Sequence, residues 1–342
     1  MKAAVLYDKH DIRVEERDIR PPKENEVVVK VAYSGICGTD IHIYHGDEGS
    51  AEVSPPIVLG HEFSGVVHEI GAAVTNVKPG DHVVIDPNSY CGTCHYCLSA
   101  KEHFCSGMKG VGVSTDGGFA EYSTVLAKSL CKVPFDMPLD AAAFAEPVAC
   151  CLHGIELTKI EMGSQVLIIG AGSIGLLMLQ LAKLEGASYV RVIEPNANKR
   201  ALAEKLGADN TFASGEEYLA YAKKTEGFRT DRVIECVGKV ETVNFAIKAA
   251  TKGAVIMIFG LTPPDATVEI MPFEIFKKEL TITASFVNPY TQSKAVELLA
   301  AGKIKANDLI EARIPLEKLS EALTSPEYRA KTKILVDLGI KS

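Results

Sequence analysis

Several groups of residues in this chain have the types and spacing to do chemistry. The stretch Gly35-Ile36-Cys37-Gly38-Thr39-Asp40-Ile41-His42 places a soft metal ligand, a hydroxyl and an imidazole within six residues. By itself it is a weak signal, because a buried Cys usually acts as a small hydrophobe and a neighbouring His as a solvated or core side chain. Gly60-His61-Glu62 adds an imidazole and a carboxylate, and Glu146-Pro147 adds a second carboxylate. Cys, His and carboxylate form a borderline-soft donor set suited to zinc, and a catalytic zinc takes three such ligands and keeps a fourth position open. No fixed short spacing joins Cys37, His61, Glu62 and Glu146, so sequence arithmetic does not assemble them. Each one alone reads as well as a core His or a salt-bridged Glu.

The run Cys91-Gly-Thr-Cys94-His-Tyr-Cys97, followed by Cys105, has spacings of three, three and eight in a turn-forming segment. Four thiolates at such intervals suit a closed, tetrahedral zinc site of the structural kind. His95 lies inside the loop but is surplus, since four sulfurs fill the coordination sphere. An iron–sulfur cluster is the competing reading, and the spacing of ferredoxins is absent. Cys131, Cys150, Cys151 and Cys236 sit in apolar runs and read as core residues.

From Gln165 the chain runs Val-Leu-Ile-Ile-Gly170-Ala171-Gly172-Ser173-Ile174-Gly175, a buried-type strand entering GxGxxG and then a helix. An acid, Glu194, follows 19 residues beyond the last glycine, where a dinucleotide-binding fingerprint requires it. Gly170 would allow the tight turn, Gly172 would admit the backbone to the pyrophosphate, and Gly175 would let the helix pack on the strand. Ser173 and Ile174 open a helix N-terminus that offers unpaired N–H groups and a positive dipole end to phosphate. Glu194 is placed to accept the adenosine ribose hydroxyls and to repel a 2′-phosphate, so NAD is expected over NADP. Lys199 and Arg200 argue the other way, and Arg200 is counted among the cofactor contacts.

The elements that must position these residues fall into two textures. Up to about residue 134 the chain shows short β-rich runs broken by Gly and Pro, among them 26–31, 63–70 and His82–Ile85. An Ala-rich helical stretch over 139–157, interrupted at Pro147, marks a crossover. Beyond it, apolar runs alternate with amphipathic helices, as in a parallel sheet covered on both faces. The expected strands are Gln165–Ile169, Tyr189–Ile193, Asn210–Phe212, 231–235, 254–259 and 280–284. Helices are expected at Ser173–Leu184, at 197–206 with Gly207 as its C-terminal stop, and at 293–300. Six strands complete a doubly wound unit, so the final strand, Lys333–Asp337, is free to return to the first domain. The fold class expected is therefore α/β with a second, β-rich domain.

With 342 residues, two domains are the soft expectation. A net charge of −8 with no clustered basic face argues against nucleic acid as a partner. The N-terminus does not read as a signal peptide, and no apolar run approaches the roughly 20 residues of a membrane span. Nine cysteines without a secretion signal point to a reducing, cytoplasmic setting in which clustered thiols bind metal.

The succession GICGTDIH, LGHEFSGVV, the four-cysteine loop, DGGFAEY, AEPVACCLHG and IIGAGSIGLL resembles the zinc-dependent medium-chain alcohol dehydrogenase family over essentially the whole chain. Within it, Glu146-Pro147 resembles the sorbitol (polyol) and threonine dehydrogenase branch, where a carboxylate stands in place of a cysteine. The resemblance implies a GroES-like β-barrel catalytic domain formed by 1–147 and 290–342, and a Rossmann domain with a six-stranded doubly wound sheet over 148–289. It implies that Cys37, His61 and Glu62 ligate the catalytic zinc, with Glu146 coordinating directly or through a water. It gives Thr39 the role of relay hydroxyl and His42 that of terminal proton acceptor. Cys91, Cys94, Cys97 and Cys105 match the structural zinc lobe, which makes two zinc ions per chain. Val237, Phe286 and Val287 fall among the cofactor contacts, and Asn288 is expected near the substrate.

The chemistry implied is oxidation of a secondary alcohol of a polyol to a ketose, with hydride passed to NAD. Zinc would lower the substrate hydroxyl's pKa, Thr39 would pass its proton through the cofactor ribose, and His42 would release it to solvent. A sorbitol-, xylitol- or arabitol-like polyol is the substrate expected, with threonine or a vicinal diol such as butanediol as the alternative. A phosphorylated polyol would need an added cation that the sequence does not identify. Family likeness implies a homo-oligomer, tetramer or dimer. A zinc-free reductase or a structural protein of the same fold would not require Cys37, His61 and Glu62 together. A thiol-based redox sensor would not require the dinucleotide fingerprint.

Overall fold

The computed structural model describes residues 1–47 and 52–340. Two compact units divide the chain, Met1–Ala149 with Val287–Ser342, and Cys150–Phe286.

The first unit is built around the strand Glu26–Gly35. Its β-branched residues Val27, Val28, Val29 and Val31 are fully buried, each contributing about 1.5–3 kcal/mol by removal from water. One edge of this strand pairs antiparallel with Glu62–Ile70. The other edge pairs with Tyr122–Leu126 and, at its far end, with the C-terminal strand Lys333–Asp337. The sheet continues to His82–Ile85 and Leu130–Lys132 on one side and to Ile310–Pro315 on the other. The register places Gly35 opposite Glu62 on one side and opposite Leu335 on the other, so three distant segments meet at one glycine.

A short helix, Gly38–Tyr44, comes directly after this strand, in a half of the chain that reads as all-β from sequence. At seven residues it is too short to be stable alone. It is held by its first turn, where Asp40 Oδ2 accepts the Cys37 N–H at 2.8 Å. A two-stranded ribbon, Asn88–Ser89 with Lys109–Gly110, closes the base of the four-cysteine loop. The Ala-rich crossover is two helices, Leu139–Ala142 and Ala145–Thr158. Pro147 lies in the first turn of the second, where its missing N–H has no partner to lose, so the break precedes the proline.

In the second unit six parallel strands run in the order Asn210–Phe212, Tyr189–Ile193, Gln165–Ile169, Arg232–Glu235, Val255–Ile258, Thr281–Ala284. The order reverses between Gln165–Ile169 and Arg232–Glu235, the switch point of a doubly wound sheet. The expected strands are all present, three of them trimmed by a residue at one or both ends. The helix Ala197–Lys205 ends before Gly207, whose φ of +106° suits the left-handed stop.

In the segment that re-enters the first unit, Asn288 is 1% exposed. Nδ2 donates to Asp86 Oδ1 at 3.3 Å and to Gln292 Oε1 at 3.2 Å, while Oδ1 accepts from Asn88 Nδ2 at 2.7 Å. Asn288 therefore joins the return segment to the base of the cysteine loop. Tyr290, two residues on, donates to Glu102 at 2.5 Å on the same loop.

Burial pushes the Asp86 carboxyl up from 3.8 to about 6, against the pull of its bonds from Asn88 and Asn288. The folded protein thus holds a proton that the unfolded chain has released. Stability from this group is present below about pH 4 and is lost as the pH rises to about 6, by about 3 kcal/mol at most. Asp86→Asn keeps an oxygen acceptor for both donors and removes the titration. Urea unfolding between pH 4 and pH 7 should show the variant gaining on the wild type across that window. A constant difference between the two would refute this assignment.

Candidate active site and metal centres

The antiparallel register brings Glu62 beside Gly35, and the chain leaving Gly35 delivers Cys37 to the same place. His61 precedes Glu62 and is aimed by Gly60, whose φ of +92° is open to glycine, and a Cβ there would lie 2.9 Å from Phe119. As a result one donor atom from each of Cys37, His61 and Glu62 lies within 4.8 Å of the other two. His61 and Glu62 are buried and Cys37 is half-buried. Glu146, also buried, stands at the start of the helix Ala145–Thr158 and does not join this close set. Thr39 Oγ1 lies 3.8 Å from Cys37 Sγ. His42, three residues further along the same helix face, is partly exposed, with Nδ1 3.3 Å from Asp47 Oδ2.

Two residues to which sequence reasoning gave no role complete the site. Asp40 is fully buried and serves both ligands: Oδ2 holds the Cys37 N–H, and Oδ1 lies 3.5 Å from His61 Nδ1. The approach is an electrostatic one without hydrogen-bond geometry, and it sets the Asp40 charge beside Nδ1. The sequence signal was an acid at the third position after a helix-opening residue. Lys333 is the second; its ammonium pairs with Glu62 Oε2 and donates to the Ile36 carbonyl at 3.1 Å. Its only trace in the sequence is a lysine in the apolar run Lys333-Ile-Leu-Val.

The pocket is rich in anions. Burial alone would lower the pKa of His61, yet the charges of Asp40 and Cys37 raise it well above 6.5. Burial also opposes the charge on Lys333, and Glu62, Cys37 and Glu146 outweigh it. A thiolate, an imidazole and a carboxylate converging in such a field have the chemistry to hold a divalent cation of zinc's softness.

Cys91, Cys94, Cys97 and Cys105 also converge, their sulfurs all within 4.8 Å of one another. Cys91 and Cys97 are 3.8 Å apart and Cys94 and Cys97 3.5 Å. A tetrahedral zinc with Zn–S bonds of about 2.3 Å spaces its sulfurs by about 3.8 Å, so this geometry fits. The N–H of Thr93, with its hydroxyl and the N–H of Cys94, holds the Cys91 thiol down to about 6, which favours the thiolate a metal needs.

The glycine turn of the second unit has the properties its spacing implies. Gly170 has φ +97°, a Cβ on Gly172 would meet nothing within 4 Å, and one on Gly175 would lie 2.0 Å from the Gly170 carbonyl. Ser173 and Ile174 open the helix Ser173–Leu184. Glu194 stands at the end of its strand, accepting from Ala171 N and Asn196 N, both at 2.9 Å. Arg200 Nη1 donates to the Glu194 and Pro195 carbonyls at 2.8 Å. Val237 is exposed beside Gly170, on a loop tied down by the buried carboxylate of Glu235, which accepts its N–H at 2.7 Å. Phe286, exposed, ends this unit, and Val287, with φ +51°, begins the return.

Two outcomes test these sites. Cys37→Ser should halve the zinc content by emptying one of the two donor groups, with the four-thiol group retained, as read by elemental analysis. Gly175→Val should abolish dinucleotide binding and cost about 2 kcal/mol in thermal unfolding, because the added carbons meet the Gly170 carbonyl.

Two family models match the chain, the alcohol dehydrogenase GroES-like domain over residues 23–135 and the zinc-binding dehydrogenase domain over 173–301. The D-arabitol-phosphate dehydrogenase of Enterococcus avium is 35% identical over 92% of this chain and 90% of its own length. The L-threonine 3-dehydrogenase of Bacillus velezensis is 37% identical over 86% of each chain. A crystal structure described as a zinc-binding dehydrogenase of Sinorhizobium meliloti bound to NADP superposes with a TM-score of 0.93 at 38% identity, covering 98% of both chains. Among the described residues no helix is long and apolar enough to cross a membrane. With a GroES-like unit, a Rossmann-type unit and two zinc-suited donor sets, the chain belongs to the zinc-dependent medium-chain alcohol dehydrogenase family.

Proposed function

We propose that the chain oxidises a secondary alcohol of a polyol to a ketose and passes the hydride to NAD. The observation that carries this reading is the convergence of Cys37, His61 and Glu62 with a hydroxyl, Thr39, 3.8 Å from Cys37 Sγ. A zinc ion held there supplies Lewis acidity toward a substrate hydroxyl, and a nicotinamide dinucleotide supplies the hydride acceptor.

The chain's own residues do the rest. Cys37, His61 and Glu62 would hold the metal, with Asp40 beside the imidazole, and Glu146 would coordinate it directly or through a water. Thr39 takes the hydroxyl proton, and His42, near the surface and beside Asp47, releases it to solvent. A carboxylate at 146 in place of a thiol makes the site more polar, which favours a substrate carrying adjacent hydroxyls. Gly170, Gly172, Ser173, Ile174 and Gly175 receive the pyrophosphate, with Val237 beside Gly170. Each Glu194 oxygen already accepts one N–H and keeps a second lone pair for a ribose hydroxyl, while its charge disfavours a 2′-phosphate. Arg200 Nη1 is engaged by the Glu194 and Pro195 carbonyls, which holds the guanidinium beside the strand end, and the preference for NAD rests on the Glu194 charge.

The similarity to an arabitol-phosphate dehydrogenase favours a sugar alcohol, free or phosphorylated. The similarity to a threonine dehydrogenase keeps threonine as the second reading. A panel of pentitols, hexitols, their phosphates, threonine and butane-2,3-diol, each with NAD and with NADP, decides between them. A polyol with NAD should give the highest kcat/KM. A maximum with threonine, or equal turnover with NADP, would overturn the corresponding part. Thr39→Val should lower kcat by about 100-fold with zinc content unchanged.

A further inference from the structure

Lys333 has a place in this site that ligand counting does not explain. It is among the least exposed charged groups of the first unit, 4% exposed, and its nitrogen contacts Glu62, itself 1% exposed and one of the three converging donors. The contact is a consequence of the sheet. Gly35 pairs with Glu62 on one edge and with Leu335 on the other, and Lys333 lies two residues before Leu335 on the same strand face. Its side chain therefore crosses the central strand at Gly35, where a Cβ would lie 2.2 Å from Glu62 Oε2 and 2.9 Å from Lys333 Cε. The nitrogen is further held by the Ile36 carbonyl at 3.1 Å and lies 5.9 Å from the centre of the Phe144 ring. A glycine in the central strand, a carbonyl and an aromatic face thus all serve to bring a cation to a carboxylate that is also a metal donor.

We infer that Lys333 is a positioning residue that shares the Glu62 carboxylate with the metal and so limits how tightly the metal is held. This rests on the reading of Cys37, His61 and Glu62 as the metal site. Among the three donors the thiolate and the carboxylate carry two negative charges, Asp40 and Glu146 add buried carboxylates, and the ammonium acts chiefly on Glu62, the carboxylate with which it pairs. An added ammonium in the same buried space repels a divalent ion and draws on the Glu62 charge, which leaves the metal less neutralised and Glu62 easier to displace. In the metal-stripped protein the same ammonium pairs the otherwise isolated carboxylate.

The test uses the full chain loaded with zinc, with Lys333→Met and Lys333→Arg. Competition with a chromogenic chelator reads the affinity of the converging site, and the four-thiol site serves as an internal reference. Lys333→Met should bind zinc at least tenfold more tightly, Lys333→Arg should stay near wild type, and the reference site should not move. Removal of zinc should lower the melting temperature of Lys333→Met more than that of the wild type. In the cobalt-substituted protein the visible ligand-field band should shift in Lys333→Met and be restored in Lys333→Arg. Unchanged or weaker zinc affinity in Lys333→Met, or equal loss of stability with and without metal, would overturn the inference and leave Lys333 a packing residue. If Lys333→Met does not fold, Lys333→Gln, which can still donate to the Ile36 carbonyl, carries the same comparison. If wild-type protein holds zinc only at the four-thiol site, the metal-site reading itself fails, and that result is distinct from failure of the role given to Lys333.

Discussion

A carboxylate buried as deeply as Glu62 costs several kcal/mol unless a positive charge meets it, and much of the first unit is arranged around that demand. The partner ammonium comes from the last strand of the chain, 271 residues away. The two are brought together by pairing both strands with Glu26–Gly35 and by leaving out a side chain where they cross. The same strand end feeds Cys37 into the site. Asp40 then ties Cys37 to His61 through the two oxygens of one buried carboxylate. The three converging side chains are thus placed by backbone register and by two charged neighbours.

The four-thiol loop and the dinucleotide turn depend on different physics. In the loop, N–H groups of neighbouring residues stabilise a thiolate, and a two-stranded ribbon closes the base. That base is joined to the return segment through Asn88, Asn288 and Asp86, so the loop is braced by a polar network with almost no apolar core of its own. In the turn, one glycine supplies a left-handed φ and another permits a backbone-to-backbone approach that any side chain would block. Glu194 and Glu235 each spend carboxylate oxygens on backbone N–H groups of the neighbouring loops, which stiffens the surroundings of the glycines.

Features encoded over short stretches are readable from the residues. The glycine turn with its strand and helix, the four clustered thiols and the six alternating strands all rest on local spacing. The helix Gly38–Tyr44 is not readable, since seven residues show too little periodicity and it is held by a capping carboxylate and by Ile43 and Tyr44 packing into the core of the unit. The bonds of Asn288 are likewise not readable from its neighbours in sequence. The buried amide network that occupies it draws on residues about 200 positions away. Lys333 looks like an ordinary lysine at a strand start, and only the register that sets Leu335, two residues on, opposite Gly35 lets its side chain reach Glu62.

The two kinds of unit, the thiol loop and the dinucleotide turn follow from residue chemistry and near-neighbour spacing, which survive without a fold, whereas Cys37, His61 and Glu62 are singled out as donors only by the family resemblance. The tertiary structure alone decided that the three donors converge, that Glu146 stands outside their closest set, and that Asp40 and Lys333 belong with them. Those facts depend on strand register, in which a slip of one residue turns every side chain to the opposite face, and register is set by pairing between distant segments.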